Sequence, residues 1–255
     1  MELLERQAFL ESLEGFLASA RGGRGSLVLV GGEAGIGKTS LVRAFCDRHG
    51  GDARALWGAC DALRTPPAAG PLLDIAREAG GELAGVVAAE PTRHRLFSAF
   101  LDLLDSAGRR VAGTPAMVVV TYRDDEAGPG HPLRTAIGDL ATAGWVHRLE
   151  LPALTREAVA TLAGPQGIDP DRLHQATGGN PFFVTEVLGA ASGEVPPTVR
   201  DAVLARAARL SPEARGALDA AAVVPDRVEL ELLEAAAGAG ARGIALQDGE
   251  PTAPT

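Results

Sequence analysis

Lysine is nearly absent from this chain. Of its 24 Lys plus Arg residues, one is lysine, Lys38, and the rest are arginine. Cysteine is almost as scarce. Cys46 and Cys60 are the only two, which excludes a disulfide framework or a zinc site built from cysteines. Cys46 falls in a helical pattern and reads as a small core residue. Aromatics make up only 4% of a chain that is 46% hydrophobic, so Leu, Val and Ala have to fill the core. Positive charge is also short. A net charge of −9 and a pI near 5.1 argue against a broad nucleic-acid surface, because phosphate backbones need a basic footprint. No apolar run approaches the ~18 residues that span a bilayer. The N-terminal MELLERQAFLESLEGFL is an acidic amphipathic helix without the basic start and apolar centre of a signal peptide. A cytoplasmic protein with no membrane partner is expected.

The one lysine stands in the most informative segment of the chain. Gly32–Thr39 reads G-E-A-G-I-G-K-T, a full G-x-x-x-x-G-K-[ST] phosphate-loop motif. Lys is a compact point charge and Arg a wide planar fork, so a loop wrapped closely around a phosphate has room for the first and not the second. The flanks agree. Leu27–Val30 is an all-apolar run suited to a buried parallel strand. Thr39–Cys46 places Leu41, Val42 and Phe45 on one helical face. Gly32, Gly35 and Gly37 permit backbone angles closed to side chains, so successive N–H groups can turn inward as an anion nest at a helix N-terminus, where the dipole favours phosphate. The cofactor-binding set is therefore Gly32, Glu33, Ala34, Gly35, Ile36, Gly37, Lys38, Thr39 and Ser40. Lys38 is expected to reach the β- and γ-phosphates of ATP or ADP, and the Thr39 hydroxyl to ligate Mg²⁺.

At 255 residues the chain can hold one large domain, or one domain and a smaller second one. Helical spacing is expected over about 5–20, 39–46, 72–79, 91–104, 132–143, 155–162, 170–177, 182–190, 198–208 and 212–223. Thr155 and Asp169 read as N-caps. Strands are expected at Leu27–Val30, Arg54–Gly58, Ala116–Thr121 and Trp145–Leu151. Residues 61–71, with three prolines, read as a loop. Alternating strands and helices imply an α/β fold, a parallel sheet covered on both faces, followed by an all-helical stretch. No internal repeat is visible.

Four stretches in order, LLERQAFLESLEGFLASARGGRGSLVLVGGEAGIGKTSLVRAF, VVVTYRDDEAGPGHPLR, ATGGNPFFVTEVL and VPPTVRDAVLARAARLSPEARGALDAAAVVP, resemble the ATPase region of large bacterial LuxR-type transcriptional regulators. These belong to the STAND branch of the AAA+-like signalling ATPases. The resemblance covers about residues 3–234. It implies a phosphate-loop nucleotide-binding domain over 1–151, a helical lid domain over 152–192 and the start of a winged-helix segment over 193–234; residues 235–255, mostly Ala, Gly, Pro and Thr, read as a disordered tail. It implies that Arg123, in the strand-end T-Y-R, is the sensor contacting the γ-phosphate side. An Arg directly after a buried strand, at the carboxyl edge of the sheet, is well placed for that. The alternative is a local pair with Asp124, Asp125 or Glu126. The resemblance also implies that Pro181, in G-G-N-P-F-F, packs on the nucleotide, the alternative being an ordinary N1 proline. Arg6 resembles the family's adenine-side lead-in segment.

Two departures stand beside these matches. The family places an apolar strand ending in acidic residues, the Walker B segment, before the sensor strand. Here the helical pattern of Pro91–Leu104 runs through Asp105 into Arg109, Arg110 and the sensor strand. About 20 residues, by usual element lengths, are missing. Leu101–Asp105 and the acids Asp124, Asp125 and Glu126 are the substitutes. Without the carboxylate the phosphates are still cradled, but metal and water lose their positioning. The second departure is that the DNA-binding helix-turn-helix ending LuxR-type regulators has no counterpart here. Leu210–Ala222 lacks the basic residues a DNA reader needs, so no direct nucleic-acid binding by this chain alone is expected. The readings are a nucleotide-dependent switch with weak or no hydrolysis, an active Mg-dependent ATPase with an unrecognised carboxylate, and a truncated remnant. Nucleotide is the expected partner, with a protein partner or self-association possible for such folds.

Overall fold

The computed structural model describes residues 3–59, 71, 74–75, 115–124, 131–190, 196–208 and 210–222. Helix α1 (Gln7–Arg21) leads into strand β1 (Ser26–Gly31), the phosphate loop and helix α2 (Lys38–His49). Strand β2 (Met117–Thr121), helix α3 (Pro132–Leu140) and strand β3 (Val146–Glu150) complete the described part of the sheet domain. Helices α4 (Arg156–Ala163), α5 (Pro170–Thr177), α6 (Pro181–Gly189), α7 (Pro197–Ala207) and α8 (Pro212–Ala221) follow. The chain divides into two compact units, Met1–Val184 and Thr185–Thr255.

The sheet is α/β in the expected sense: three parallel strands in the order β2-β1-β3. All of β1 is buried, which is what a central parallel strand covered on both faces requires. Its alternation divides the core in two. Val28 and Val30 join Leu10 and Leu13 of α1 and Leu41 and Phe45 of α2 on one face. Leu27 and Leu29 join Ile137 and Leu140 of α3 on the other. Successive strand residues point to opposite faces, so four apolar residues in a row supply both layers.

The helical stretch begins where caps predict. The Thr155 side chain accepts a hydrogen bond from the Ala158 N–H at the start of α4. Asp169 does the same for Asp171 and Arg172 at the start of α5. Each satisfies N–H groups that a helix leaves unpaired in its first turn. Arg156 and Asp171 form an exposed ion pair joining α4 and α5.

One strand expectation is corrected. Arg54–Gly58 has no strand; Leu56 and Trp57 there are 38% and 40% exposed. A strand needs a ladder partner and a face to pack on, and among the described residues this segment has no strand beside it. Of the helix expected at 72–79, Asp74 and Ile75 are described and helical, as is Pro71 just before it. The helix expected at 91–104, Asp105, Asp125, Glu126 and the tail at 235–255 lie outside the described residues.

Candidate functional site

The carboxyl ends of the three strands meet at one edge. Gly31 ends β1 and opens the phosphate loop, Thr121 ends β2 and leads to Tyr122 and Arg123, and Glu150 ends β3 and leads to Leu151 and Pro152. Backbone bonds hold the three exits together: Tyr122 N–H donates to the Val30 carbonyl at 3.0 Å and Leu151 N–H to the Gly31 carbonyl at 3.1 Å. Ligand sites in parallel sheets sit beyond such carboxyl ends.

The loop has the backbone of an anion cradle. Gly32, Gly35 and Gly37 lie at φ 138°, 83° and 98°, a region that strains any residue with a Cβ. Gly37 is the N-cap of α2, so the helix begins at Lys38 with its dipole directed at the loop. Ile36 turns inward and is buried in the core shared with α1 and α2, which anchors the loop from below. Lys38 Nζ donates to the carbonyls of Gly32 at 2.6 Å and Glu33 at 2.7 Å. Its charge is thus held over the loop. Thr39 and Ser40 are exposed at the first turn of α2.

A nucleotide with Mg²⁺ fits these residues. The three left-handed glycines shape the cradle, and Lys38 supplies the cation. The Thr39 hydroxyl is accessible as a metal ligand beside the phosphates. Among the described residues no group of three or more His, Cys, Asp or Glu could hold a metal; the Thr39 hydroxyl is the group on the loop that would ligate Mg²⁺ together with phosphate oxygens. When bound, it neutralises phosphate charge.

Arg123 and Asp124 stand exposed just past the end of β2. Between them and β2 stands Tyr122, whose ring lies against Gly31. A Cβ on Gly31 would stand 2.6 Å from the Tyr122 hydroxyl. With glycine at 31 the tyrosine ring can lie across the end of β1, toward Arg148 of β3. Burial raises the Tyr122 pKa, partly offset by the Arg148 charge and hydrogen bond, so the phenol is neutral near pH 7.

Arg6 is buried, at 3% exposure. Its guanidinium donates to the Pro152 carbonyl at 2.7 Å and the Ile36 carbonyl at 3.3 Å. It ties the phosphate loop to the chain leaving β3. Burial lowers its pKa and the neighbouring Glu5 raises it. Glu5 in turn accepts from the Thr155 N–H and hydroxyl at 2.9 and 2.5 Å, so two adjacent residues grip both the loop and the start of α4.

Pro181 is the first residue of α6, and the residue before it bonds to the loop. The Asn180 Nδ2 donates to the Ala34 carbonyl at 3.0 Å and, at 3.4 Å, to the Glu33 carboxylate. The Phe182 N–H donates to the Gly35 carbonyl at 3.2 Å. Gly179, at φ 70°, packs so closely on Leu154 that a Cβ would lie 2.2 Å from its carbonyl oxygen. The Leu154 N–H donates to the Gly179 carbonyl at 2.8 Å. The G-G-N-P segment is therefore pinned at Leu154 and at the phosphate loop. Motif reading singled out Pro181 and passed over Asn180, Glu5 and Tyr122. The one signal for Asn180 was its place in a G-G-N-P turn.

The chain matches the family model of the AAA ATPase domain over residues 2–243. A search of curated proteins finds no match. Among solved structures the chain is similar to Cdc6p from Pyrobaculum aerophilum, at 12% identity over 91% of this chain and 70% of that one, with a TM-score of 0.46. No helix among the described residues is long and apolar enough to cross a membrane. Because the family match runs through the phosphate loop, the sheet and the helices beyond it, the chain belongs to the AAA ATPase domain family and is a nucleotide-binding module of the ATPase type.

Proposed function

We propose that the chain is the ATP/ADP-binding signalling module of a cytoplasmic LuxR-type transcriptional regulator, a nucleotide-dependent switch with weak or no hydrolysis. The observation that carries this reading is the attachment of the phosphate loop to the start of α6 through Asn180 and Phe182. A change at the phosphates would thereby reach the start of α6. ATP and ADP would favour different arrangements of the helical part by binding one of them more tightly. The proposed organisation is a nucleotide-binding domain over 1–151, a helical lid over 152–192, a winged-helix segment over 193–234 and a tail beyond. Arg123 would sense the γ-phosphate side, and Pro181 would pack on the nucleotide. The output is a protein contact or self-association rather than DNA binding by this chain, whose Leu210–Ala222 segment is poor in basic residues.

Weak hydrolysis is supported by the sequence ahead of β2, where no apolar run is followed by the paired acids of a Walker B segment. A second reading rests on Asp124, which follows Arg123 at the sheet edge and would serve as the Mg²⁺ carboxylate of an active ATPase. Thermal unfolding with and without Mg·ATP or Mg·ADP, run beside phosphate release, tests both. Ligand binding raises the transition by mass action. The parent should gain stability from either nucleotide, and Lys38→Ala should lose that gain entirely. Turnover at rates ordinary for ATPases, abolished by Asp124→Asn, would replace the switch reading with the second. No shift in the parent would sink both and favour a remnant.

A further inference from the structure

The arch of the phosphate loop, Glu33–Gly35, is held from outside by one side chain 146 residues along the chain from Ala34. Asn180 is 3% exposed, and each half of its carboxamide has a partner of fixed character. The Ala34 carbonyl can only accept, so the Nδ2 must face it, at 3.0 Å. The Phe182 N–H can only donate, so the Oδ1 must face it, at 3.1 Å. These two partners settle the orientation of the amide. The second Nδ2 proton points to the Glu33 carboxylate at 3.4 Å. No other side chain of this size both donates to the loop and accepts from the helix start. Aspartate keeps the acceptor and loses both donors. The approach is also close: a Cβ on Gly35 would stand 2.9 Å from the Asn180 Oδ1 and 2.7 Å from the Phe182 Cβ.

We propose that Asn180 is a positioning residue for phosphate binding, holding the Glu33–Gly35 arch in the shape that turns the following amides toward a phosphate. This rests on the nucleotide-binding reading of the loop. The carboxamide satisfies the Ala34 carbonyl, which would otherwise compete for the cradle or drift from it. A preorganised loop binds phosphate without first being ordered. The same residue shapes the start of α6 through its Oδ1, and the two roles separate chemically, since one uses the donors and the other the acceptor.

The test is a titration of the full chain with a fluorescent Mg·ADP analogue, with the thermal transition of each variant measured without nucleotide. Asn180→Ala should bind about tenfold more weakly, the scale of one or two buried hydrogen bonds. Asn180→Asp keeps the acceptor for the Phe182 N–H but sets a buried carboxylate against the Ala34 carbonyl and the Glu33 carboxylate, so it should unfold at a lower temperature and bind at least about tenfold more weakly. Asn180→Asp combined with Glu33→Gln restores the net charge and still offers nothing to the Ala34 carbonyl, so binding should stay weak. If Asn180→Ala fails to fold, the Asp pair carries the test. Parent-like binding by Asn180→Asp, or recovery in the double variant, would overturn the proposal, the first leaving only a helix-start role and the second only a charge effect. A parent that binds no nucleotide would overturn the loop reading along with it. A parent that binds while every Asn180 variant binds equally overturns the positioning role alone.

Discussion

Helices α2 and α7 are close in length, 12 and 11 residues, and each carries a leucine and a valine in mid-helix. In α2, Leu41, Val42 and Phe45 are all buried. In α7, Val199 and Ala207 are buried while Val203 and Leu204 stand 47% and 55% exposed. Leu210 and Leu218, beside and within α8, are exposed as well. Apolar content alone does not separate these helices, since each carries several apolar residues, although α2 gathers them on one face and α7 spreads them round the helix. The difference is the surface each one meets. Helix α2 lies with α1 against the Val28 and Val30 face of β1, where both its stripe and its N-terminus have fixed work. The lesson is that α2 commits its large apolar side chains to a core while α7 and α8 leave several of theirs exposed, so substitutions at these positions should be felt very differently in the two.

The sharpest way to break that comparison is a matched pair of leucine truncations. Leu41→Ala removes a fully buried side chain from the core under the phosphate loop and should cost about 2–5 kcal/mol. Chemical denaturation of the first unit reads this directly, and a loss under about 1 kcal/mol would mean that core is looser than its burial indicates. A smaller effect is expected from pH at the sheet. Burial lowers the pKa of His147 below its ordinary 6.5, and its ring stacks on Phe16 with centroids 4.0 Å apart. The unfolded chain therefore takes up a proton at a pH where the folded one resists it. Stability should be complete above pH 6.5 and fall as pH drops from there through the lower folded value. His147→Gln should flatten that slope in unfolding curves at pH 7 and pH 5; an unchanged slope would remove His147 as the cause. The smallest effect belongs to Leu204→Ala, which should stay within about 0.5 kcal/mol of the parent. A cost near that of Leu41→Ala would show that α7 is covered after all and would erase the contrast between the two helices.

The same contrast runs through what could be read without the fold. The phosphate loop was legible because its chemistry lies in contiguous residues. The spacing of Gly32, Gly35 and Gly37 implies the left-handed backbone that the loop adopts, and the apolar run beside it implies a doubly buried strand. Helix starts at Thr155 and Asp169 were legible for the same reason, since a cap and the amides it serves lie within three residues. Arg54–Gly58 failed because strand propensity is expressed only against a paired neighbour. Arg6 was legible as a site residue only by resemblance. Its bonds to Ile36 and Pro152 span 30 and 146 residues, and no local pattern encodes them.

By itself, then, the order of residues determined a parallel α/β nucleotide-binding domain and the loop that takes the phosphates, because backbone angle, side-chain alternation and capping act over a few neighbours. Only the tertiary structure decided which distant groups hold that loop in shape. Asn180 reaches it because Gly179 can pack against Leu154 without a Cβ, Tyr122 crosses β1 because Gly31 leaves room, and Glu5 with Arg6 closes the edge from the N-terminal side. Each of these contacts depends on two surfaces meeting at close range, a relation that exists only once the sheet has brought them together.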